Sequence, residues 1–385
     1  MAIYKLFPTK DASIYTQDVE MNTGLDSILE ASTYLVNNDP YLSRYLIKFS
    51  SSEISNTFSN LVGTSSYQIV LNNFIALAEG LNNTTHLYFY PVSGSWSMGT
   101  GRFDNIPSTK NGVCWKRPNI SGSGNWSTGS FGINATASFS PITPGGGCWY
   151  TGSNLGLNVE SSKSFGYYGS KDIDIDVTDT VKTWYSHSID NNNGVPNEGF
   201  IVKQGYKDEF NISVDNAHTL RYFSIDTNTI YPPSLEYRWD DSIFDTGSSN
   251  NKVLQTSETF ISVYNNEEVY YPQSIPRFRF AAIPKYPDRT FITASYYTEN
   301  YYLPEDVSLY AIKDTDTNEF IVDFNSDFTK ISADATSSYF DLYMNGLEPE
   351  RYYTILVKSQ IGASTKVFDE GINFKIVNPW KYKLI

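Results

Sequence analysis

Residues 171–239 change from the sequence period of a β-strand to that of an α-helix, and this change limits the folds open to the chain. Acidic and apolar residues alternate from Asp172 to Val177, as they do in a half-buried strand. Val177, Val181 and Trp184 then recur at helical spacing. The pattern predicts a strand that leads into one or two helical turns, with Trp184 packed against a sheet.

Capping and turn residues set the ends of this predicted helix. The side-chain oxygens of Thr178 and Asp179 can accept hydrogen bonds from the first free amide groups of a helix. The run Asp-Asn-Asn-Asn-Gly at 190–194 favours a turn after it.

The composition is that of an all-β protein. Aromatic residues make up 16% of the 385 residues, with 30 Tyr and 7 Trp, and long helical periodicities are missing. A chain of this length can bury two cores of ordinary size. Residues 241–257 are rich in Ser, Asn, Asp and Gly, so we expect a linker between a first domain over 1–240 and a second over 258–378, with a tail over 379–385.

The second domain has the pattern of a small β-sandwich of about seven strands. Alternating runs begin at Arg277, Phe291, Phe320, Tyr339 and Tyr352. The segment from Gly346 to Val357 resembles the turn before a late strand in fibronectin type III and other immunoglobulin-like domains. That resemblance implies structural roles for Pro349 and for Tyr353, whose hydroxyl would close a corner by bonding back to the backbone.

The charge of the chain bears on its partners. There are 28 Lys and Arg against 42 Asp and Glu, a net charge of −14, so a phosphate backbone would be repelled and nucleic acid is not an expected partner. Met1 to Pro8 contain no apolar run of the length of a signal sequence, and no uncharged stretch is long enough to span a bilayer. We therefore expect a soluble protein made in the cytoplasm, with no membrane partner.

Two Gly/Ser-rich segments each carry a Trp-Ser pair upstream of a Gly-x-Cys-Trp motif. This quasi-repeat supplies Trp96, Trp115, Trp126 and Trp149. Either these side chains form an exposed contact platform, or they cover the open end of a sandwich. Cys114 and Cys148 are expected as two thiols in a reducing compartment, whereas a disulfide would tie the two segments together in an oxidising particle.

No motif of a known catalytic class is present, and the chain is not expected to be an enzyme. It lacks a Gly-x-Ser-x-Gly elbow, a Walker phosphate loop and a His-Glu-x-x-His helix, and the glycines at 99–101 lack the third glycine of a dinucleotide fingerprint. Surface or packing roles are expected for the dispersed His86, His187 and His218. The carboxylate pairs that cleave glycosides have no fixed spacing in sequence, so the sequence leaves a glycoside hydrolase open.

Three carboxylates, Asp172, Asp174 and Asp176, fall on one face of the predicted strand. They could bind Ca²⁺, or they could discourage the addition of another strand at a solvated edge. No other cofactor is expected.

Two further segments are candidate contact surfaces. Basic residues concentrate at Arg277, Arg279, Lys285 and Arg289. This stripe either docks an acidic neighbouring subunit or remains a solvated strand face, with Phe278 and Phe280 on the opposite face. The tail holds Trp380 and Tyr382, which either fold back on the second domain or insert into a neighbouring protein.

The order of motifs in the first domain resembles the DNRLRE-domain family. The similar segments run from Asp11 to Tyr15, Asn22 to Glu30, Ser43 to Phe49, Gly112 to Pro118, Asp176 to Trp184 and Glu198 to Lys203. Ser50 stands where that family usually has Asp, and Ile225 and Asp226 stand where Arg and Glu are common. The resemblance implies a jelly-roll-like β-sandwich of a kind found on surface and extracellular proteins, here followed by a smaller immunoglobulin-like β-sandwich.

The combination of both domains resembles structural proteins of tailed, T4-like phages, particularly myoviruses of marine cyanobacteria. It implies a non-enzymatic virion component made in the host cytoplasm, in contact with other virion proteins and repeated as a homo-oligomer or symmetric array. Neck, head decoration and tail attachment are all open. The alternative is a glycan-binding adhesin for host surface polysaccharide, since aromatic side chains stack on sugar rings. A wall-degrading hydrolase is a third possibility.

Overall fold

The chain divides into two compact units. The computed structural model describes residues 2–37, 39–63, 66–81, 85–122, 124–126, 145–152, 157–205, 208–209, 212, 217–249, 252–286 and 301–378. The N-terminal unit comprises Leu6–Gly63 and Gln68–Glu236, and the C-terminal unit comprises Tyr237–Ile385 with Met1–Lys5 and Thr64–Tyr67. The expected all-β class is confirmed, because β-strands in mainly antiparallel sheets make up both units.

The segment expected as a linker, 241–257, belongs to the C-terminal unit. The Asp245 amide donates to the carbonyl of Ala333 at 3.0 Å, and the Ala333 amide donates to the carbonyl of Ile243 at 2.8 Å. Leu254 is buried in the core of this unit. A polar composition does not make a linker when neighbouring strands satisfy the backbone hydrogen bonds. The described part of this segment is therefore not a free connection.

The described residues before 240 contain thirteen strands. They are β1 (Ala2–Leu6), β2 (Pro8–Tyr15), β3 (Ile28–Glu30), β4 (Thr33–Val36), β5 (Asp39–Phe49), β6 (Tyr67–Asn73), β7 (Ile75–Glu79), β8 (Thr85–Pro91), β9 (Ser161–Phe165), β10 (Ile173–Asp176), β11 (Phe200–Gln204), β12 (Thr219–Phe223) and β13 (Ser234–Trp239). One six-stranded sheet has the order β2-β5-β11-β8-β9 with β4 paired to β5, and a three-stranded sheet has the order β3-β12-β7. β10 pairs antiparallel with β6.

Two α-helices are described in full among the residues before 240. Helix α1 (Ser51–Thr57) begins after Ser50, whose hydroxyl accepts a hydrogen bond from the Glu53 amide at 3.3 Å, and a π-helical turn, Phe58–Val62, follows it. Helix α2 (Thr178–Ile189) has 12 residues, so the prediction of one or two turns is too short. Residues 185–189, which complete the helix, are half-buried or exposed, so a count of buried apolar positions stops at Trp184.

Trp184 packs as the sequence predicts. Its ring lies 4.7 Å from the ring of Phe200 on β11, and the side chain is buried. The strand before the helix also follows its pattern, because Ile173 and Ile175 are buried while Asp174 and Asp176 are exposed.

Strand β5 is buried on both faces, and this positions the candidate site. Tyr45 points to one side, where its ring lies 6.0 Å from that of Tyr222 on β12. Leu42 and Leu46 point to the other side, into a second cluster of buried residues. That cluster is completed by residues from outside the strands, between 92 and 126 and between 145 and 150. A layer of irregular segments therefore covers this face of the six-stranded sheet.

Nine described strands of the C-terminal unit lie beyond residue 257 and form a two-sheet β-sandwich, where the sequence predicts about seven strands. They are β14 (Thr259–Val263), β15 (Val269–Tyr270), β16 (Arg277–Pro284), β17 (Ser308–Asp314), β18 (Phe320–Val322), β19 (Ser332–Ala333), β20 (Ser338–Asp341), β21 (Tyr352–Ile361) and β22 (Ser364–Ile376). One sheet has the order β14-β16-β20-β19, and the other has the order β15-β22-β21-β17-β18. The core between them includes Phe340 and Tyr310, whose rings stack at 3.9 Å.

The corner before β21 has the predicted hydrogen bond. The Tyr353 hydroxyl donates to the carbonyl of Glu348 at 3.1 Å, and the ring is buried against Phe374. Pro349 lies in the turn between them. The bond has the form of the tyrosine corner that the resemblance to immunoglobulin-like domains implies. In the described part of the chain, neither helix combines the length and the apolar character needed to cross a bilayer.

Candidate functional site

Three charged side chains meet inside the N-terminal unit. Arg44 lies on β5 and Lys203 on β11, and the pairing of Val202 with Tyr45 places them side by side on one face of the sheet. The Arg44 guanidinium donates from Nε to Glu209 Oε1 at 2.9 Å and from Nη2 to Glu209 Oε2 at 2.7 Å. Lys203 Nζ lies 2.9 Å from the same Oε2 atom. We call Arg44, Lys203 and Glu209 the charged cluster.

The charged cluster also bonds to two backbone oxygens. Arg44 Nη1 donates to the Gly146 carbonyl at 2.7 Å, and Lys203 Nζ donates to the Gln204 carbonyl at 2.7 Å. Burial lowers the pKa of Lys203, although Glu209 opposes this shift. Burial by itself would raise the pKa of Glu209, but Arg44 and Lys203 outweigh it and hold that pKa below its usual value.

Two indole rings enclose the charged cluster. The guanidinium carbon of Arg44 lies 5.0 Å from the ring centroid of Trp115 and 5.4 Å from that of Trp149, within the range of cation–π contacts. Gly146 lies between these groups with a φ of +83°, and a Cβ atom there would come within 2.6 Å of the Trp115 ring. Only glycine fits this close approach without strain.

The charged cluster is closed rather than open to a substrate. Each of its four nitrogens has at least one oxygen of the chain within hydrogen-bond distance, and all three side chains are buried. A buried ion pair with satisfied hydrogen bonds contributes conformational specificity more readily than net stability. Among the residues that the structure describes, no group of His, Cys, Asp and Glu has the arrangement of a metal site.

The four tryptophans of the quasi-repeat lie in the same layer and are not a surface platform. Their exposed fractions are 4% for Trp96, 0% for Trp115, 4% for Trp126 and 3% for Trp149. All four belong to the buried cluster that covers the six-stranded sheet. The expectation of an exposed contact surface is corrected for this reason, and the packing alternative describes their position.

Hydrogen bonds fix two of these rings in the layer. Trp96 Nε1 donates to the Glu198 carbonyl at 2.9 Å, and Trp126 Nε1 donates to the Cys114 carbonyl at 3.1 Å. Lys10 Nζ donates to the Trp96 carbonyl and lies 4.2 Å from the centroid of its ring. Burial, with the neighbouring Lys48, lowers the pKa of Lys10 to about 8.

Cys114 and Cys148 lie in this layer as buried thiols and are not joined by a disulfide. Burial raises the pKa of the Cys114 thiol. The high pKa and the lack of exposure make Cys114 a poor nucleophile.

Gly99 and Gly101 enclose the side chain of Asn22. Asn22 donates from Nδ2 to the carbonyls of Met98 at 2.7 Å and Val113 at 2.8 Å, and its Oδ1 accepts from the Gly101 amide at 2.8 Å. A Cβ atom on Gly99 would lie 2.3 Å from Asn22 Oδ1. These glycines therefore serve packing.

The three carboxylates at and just before the edge strand β10 each have a partner within the chain. Asp172 accepts from the Ile75 amide at 2.8 Å, Asp174 pairs with Lys163, and Asp176 accepts from Gln68 Nε2 at 2.9 Å. They do not converge on one point. The arrangement favours protection of a sheet edge over the Ca²⁺ site considered from the sequence.

The basic stripe is compensated by carboxylates of its own unit. Arg277 forms two hydrogen bonds to Asp341 at 2.8 and 2.9 Å, and Arg279 forms two to Asp334 at 3.0 and 2.7 Å. Both guanidinium groups also lie over the ring of Tyr339. A neighbouring acidic subunit would have to compete with these pairs, which favours the alternative of a solvated strand face.

Other predicted site residues are dispersed or undescribed. Lys285 lies 3.7 Å from Glu258 in an exposed pair. His86 Nδ1 lies 2.8 Å from the Ser164 hydroxyl, far along the chain from His187 on α2. Arg289, Trp380 and Tyr382 lie outside the described residues.

Sequence reasoning missed the charged cluster, although one signal was present. In the alternation of β5, Arg44 falls on the same face as Leu42 and Leu46. A charged residue on an apolar strand face indicates a buried partner, because an unpaired charge there would be costly. Nothing in the sequence identifies Glu209 as that partner, since it lies 165 positions away.

No protein-family model matches this chain, and no curated protein matches it at a significant level of similarity.

Proposed function

We propose that the chain is a non-enzymatic structural component of a tailed-phage virion and that it acts through protein–protein contacts. The observation that carries the proposal is the placement of its side chains. The charged cluster and the four tryptophans are enclosed, whereas large aromatic side chains such as Tyr168, Phe260 and Tyr286 lie at the surface. Exposed aromatic side chains are enriched where proteins contact one another. A chain built in this way offers its exterior to partners.

The sequence resemblance supports the virion part of the proposal. It covers both units and implies a component of the neck, the head decoration or the tail attachment. The sandwich architecture of both units is consistent with a rigid part of an assembly. The proposed partners are other virion proteins and further copies of this chain.

Purified particles test this proposal. Particles from cells that produce the chain would be washed in high salt and the chain quantified by mass spectrometry against the major capsid protein. The proposal predicts a fixed number of copies per particle, and a soluble particle-free fraction serves as the control. A chain that remains in that fraction, or that degrades a host polysaccharide, would contradict the proposal.

A glycan-binding adhesin remains the second candidate, with one observation in its favour. The tryptophans that suggested it are enclosed, but Tyr167 and Tyr168 are exposed and could stack on a sugar ring. Glycan-array binding by the purified chain that is lost in Tyr168→Ala, together with absence from particles, would favour the adhesin. Incorporation into particles without sugar binding would favour the structural role.

A further inference from the structure

The loop between β9 and β10 projects two aromatic side chains from the N-terminal unit. Tyr167 is 66% exposed and Tyr168 is 96% exposed, and their rings contact each other edge to face at 4.8 Å. Gly166 and Gly169 flank them, and a Cβ atom on either glycine would meet nothing within 4 Å. We call residues 166–171 the tyrosine tip.

The tyrosine tip is held in shape and carries a positive charge. Lys171 Nζ donates to the Tyr167 carbonyl at 3.1 Å and also to the Gly169 carbonyl. These bonds close the loop without a carboxylate, so the lysine charge stays available to a partner. Two exposed phenol rings on a braced loop resemble the aromatic anchors of protein interfaces.

The same unit contains an open cleft of about 630 Å³ along α2. Asp179, Lys182, Ser186 and Ile189 line it from one face of the helix, opposite the buried Trp184. Leu157 lines another side of it. We call this feature the helix cleft.

The helix cleft has acceptors for phenol groups. The Asp179 carboxylate accepts a hydrogen bond from Asn158 at 3.0 Å, and the Asp190 carboxylate accepts from Asn193 at 2.8 Å. Both carboxylates are therefore bonded to neutral amides, and with Lys182 they leave the cleft with a net negative charge. Exposed Leu157 and Ile189 supply the apolar surface that a ring requires.

We propose that the tyrosine tip of one copy docks into the helix cleft of a second copy of this chain. The phenol rings pack on Leu157 and Ile189, and their hydroxyls donate to the carboxylates. The charge of Lys171 complements the net charge of the cleft. The volume of the cleft, about 630 Å³, lies within the range of about 300–1,000 Å³ of pockets that enclose small organic groups.

The size of this contact makes it weak in isolation. A tyrosine buries about 150–250 Å². The two rings and the surface they cover therefore approach only the lower limit, about 1,000 Å², of specific protein interfaces. Such a contact is significant when many copies are held together, because each further contact then forms at high effective concentration. The inference rests on the proposed function in one respect: a virion particle would hold neighbouring copies of the chain close together.

Disulfide trapping between two full-length variants tests the docking. A chain carrying Tyr168→Cys would be mixed with a chain carrying Ile189→Cys in concentrated solution under mild oxidation. We expect the mixed dimer to form roughly tenfold faster than when Tyr286→Cys replaces Tyr168→Cys, because docking raises the effective concentration of the thiols. Tyr286 is a matched control, since it is also highly exposed, and Cys114 and Cys148 are buried and contribute little background.

Two outcomes would overturn the inference. The first is equal rates of mixed-dimer formation with Tyr168→Cys and with Tyr286→Cys. The second is a Tyr168→Cys chain that, inside particles, joins to a different virion protein. The second result is compatible with the proposed function. If the chain is absent from particles, the proposed function is wrong, and the trapping rates alone decide whether the docking occurs.

Discussion

Arg44 and Glu209 lie 165 positions apart in the chain and form a bidentate ion pair in which both side chains are 1% exposed. The pair ties β5 to the segment that follows β11. Through the bond from Arg44 to the Gly146 carbonyl, it also reaches the layer that contains the four tryptophans. Transfer of two such charges from water costs several kcal/mol for each ion, so the pair specifies an arrangement more than it adds net stability.

Loss of the carboxylate should destabilise the N-terminal unit strongly. In Glu209→Gln, Arg44 and Lys203 stay buried without the opposite charge, and we expect the free energy of unfolding to fall by about 3–5 kcal/mol. Urea unfolding followed by tryptophan fluorescence would measure the change. Glu258→Gln removes the carboxylate of the exposed pair with Lys285 and should cost less than about 1 kcal/mol. Equal effects of the two substitutions would contradict the structural role of the charged cluster.

Removal of a tryptophan from the layer should affect stability. Trp96→Ala leaves a cavity and removes the hydrogen bond to the Glu198 carbonyl, so we expect a loss of about 3–5 kcal/mol. Thermal unfolding of the full chain checks this. Ile106→Ala is the control, because Ile106 is almost fully exposed and its change should stay within about 0.5 kcal/mol. A variant with unchanged stability that no longer binds a partner would restore the idea of a contact platform.

The tyrosine corner can be tested by removing one oxygen atom. Tyr353→Phe loses the hydrogen bond to the Glu348 carbonyl and should lower the free energy of unfolding of the C-terminal unit by about 0.5–1.5 kcal/mol. The adjacent Tyr352→Phe alters a half-exposed ring and should have little effect. Denaturant unfolding of both variants gives the comparison. If Tyr352→Phe were the more harmful substitution, the corner would not have the role described.

One buried carboxyl should make stability depend on pH. Burial raises the pKa of Asp11 from 3.8 to about 7. The unfolded chain releases this proton from about pH 4 upward while the native state keeps it, so the native state binds more protons and stability falls as the pH rises from about 4 to about 7.

The variant Asp11→Asn removes this titration. Its side-chain oxygen can still accept from the Ile225 amide, which lies 2.8 Å from Asp11 Oδ2. We expect the free energy of unfolding of the variant, relative to the unsubstituted chain, to increase from about pH 4 to about pH 7 and then to level off. Urea midpoints at several pH values would show this, and a difference that stays constant with pH would contradict it.

Local patterns in the sequence predict much of the fold. The alternation around Ile173, the helical position of Trp184 and the corner at Tyr353 all follow from short-range periodicity and turn chemistry. These features depend on residues close together in the chain, which is why a single sequence is enough to find them.

The candidate site could not be predicted in the same way. The quasi-repeat identifies four tryptophans, but their burial depends on β5 and β11 having a second covered face. The pairing of Arg44 with Glu209 depends on long-range topology that has no local signature. The carboxylates that compensate Arg277 and Arg279 come from Asp341 and Asp334, which strand pairing brings to them.

The most direct test of the central claim is the position of the chain on intact particles. Gold-labelled antibody raised against the full chain would be imaged on purified particles by electron microscopy, with particles that lack the chain as the control. We predict label at one fixed, symmetric position on most particles. Particles that carry no label, while the chain is abundant in the surrounding host extract, would contradict a structural role in the virion.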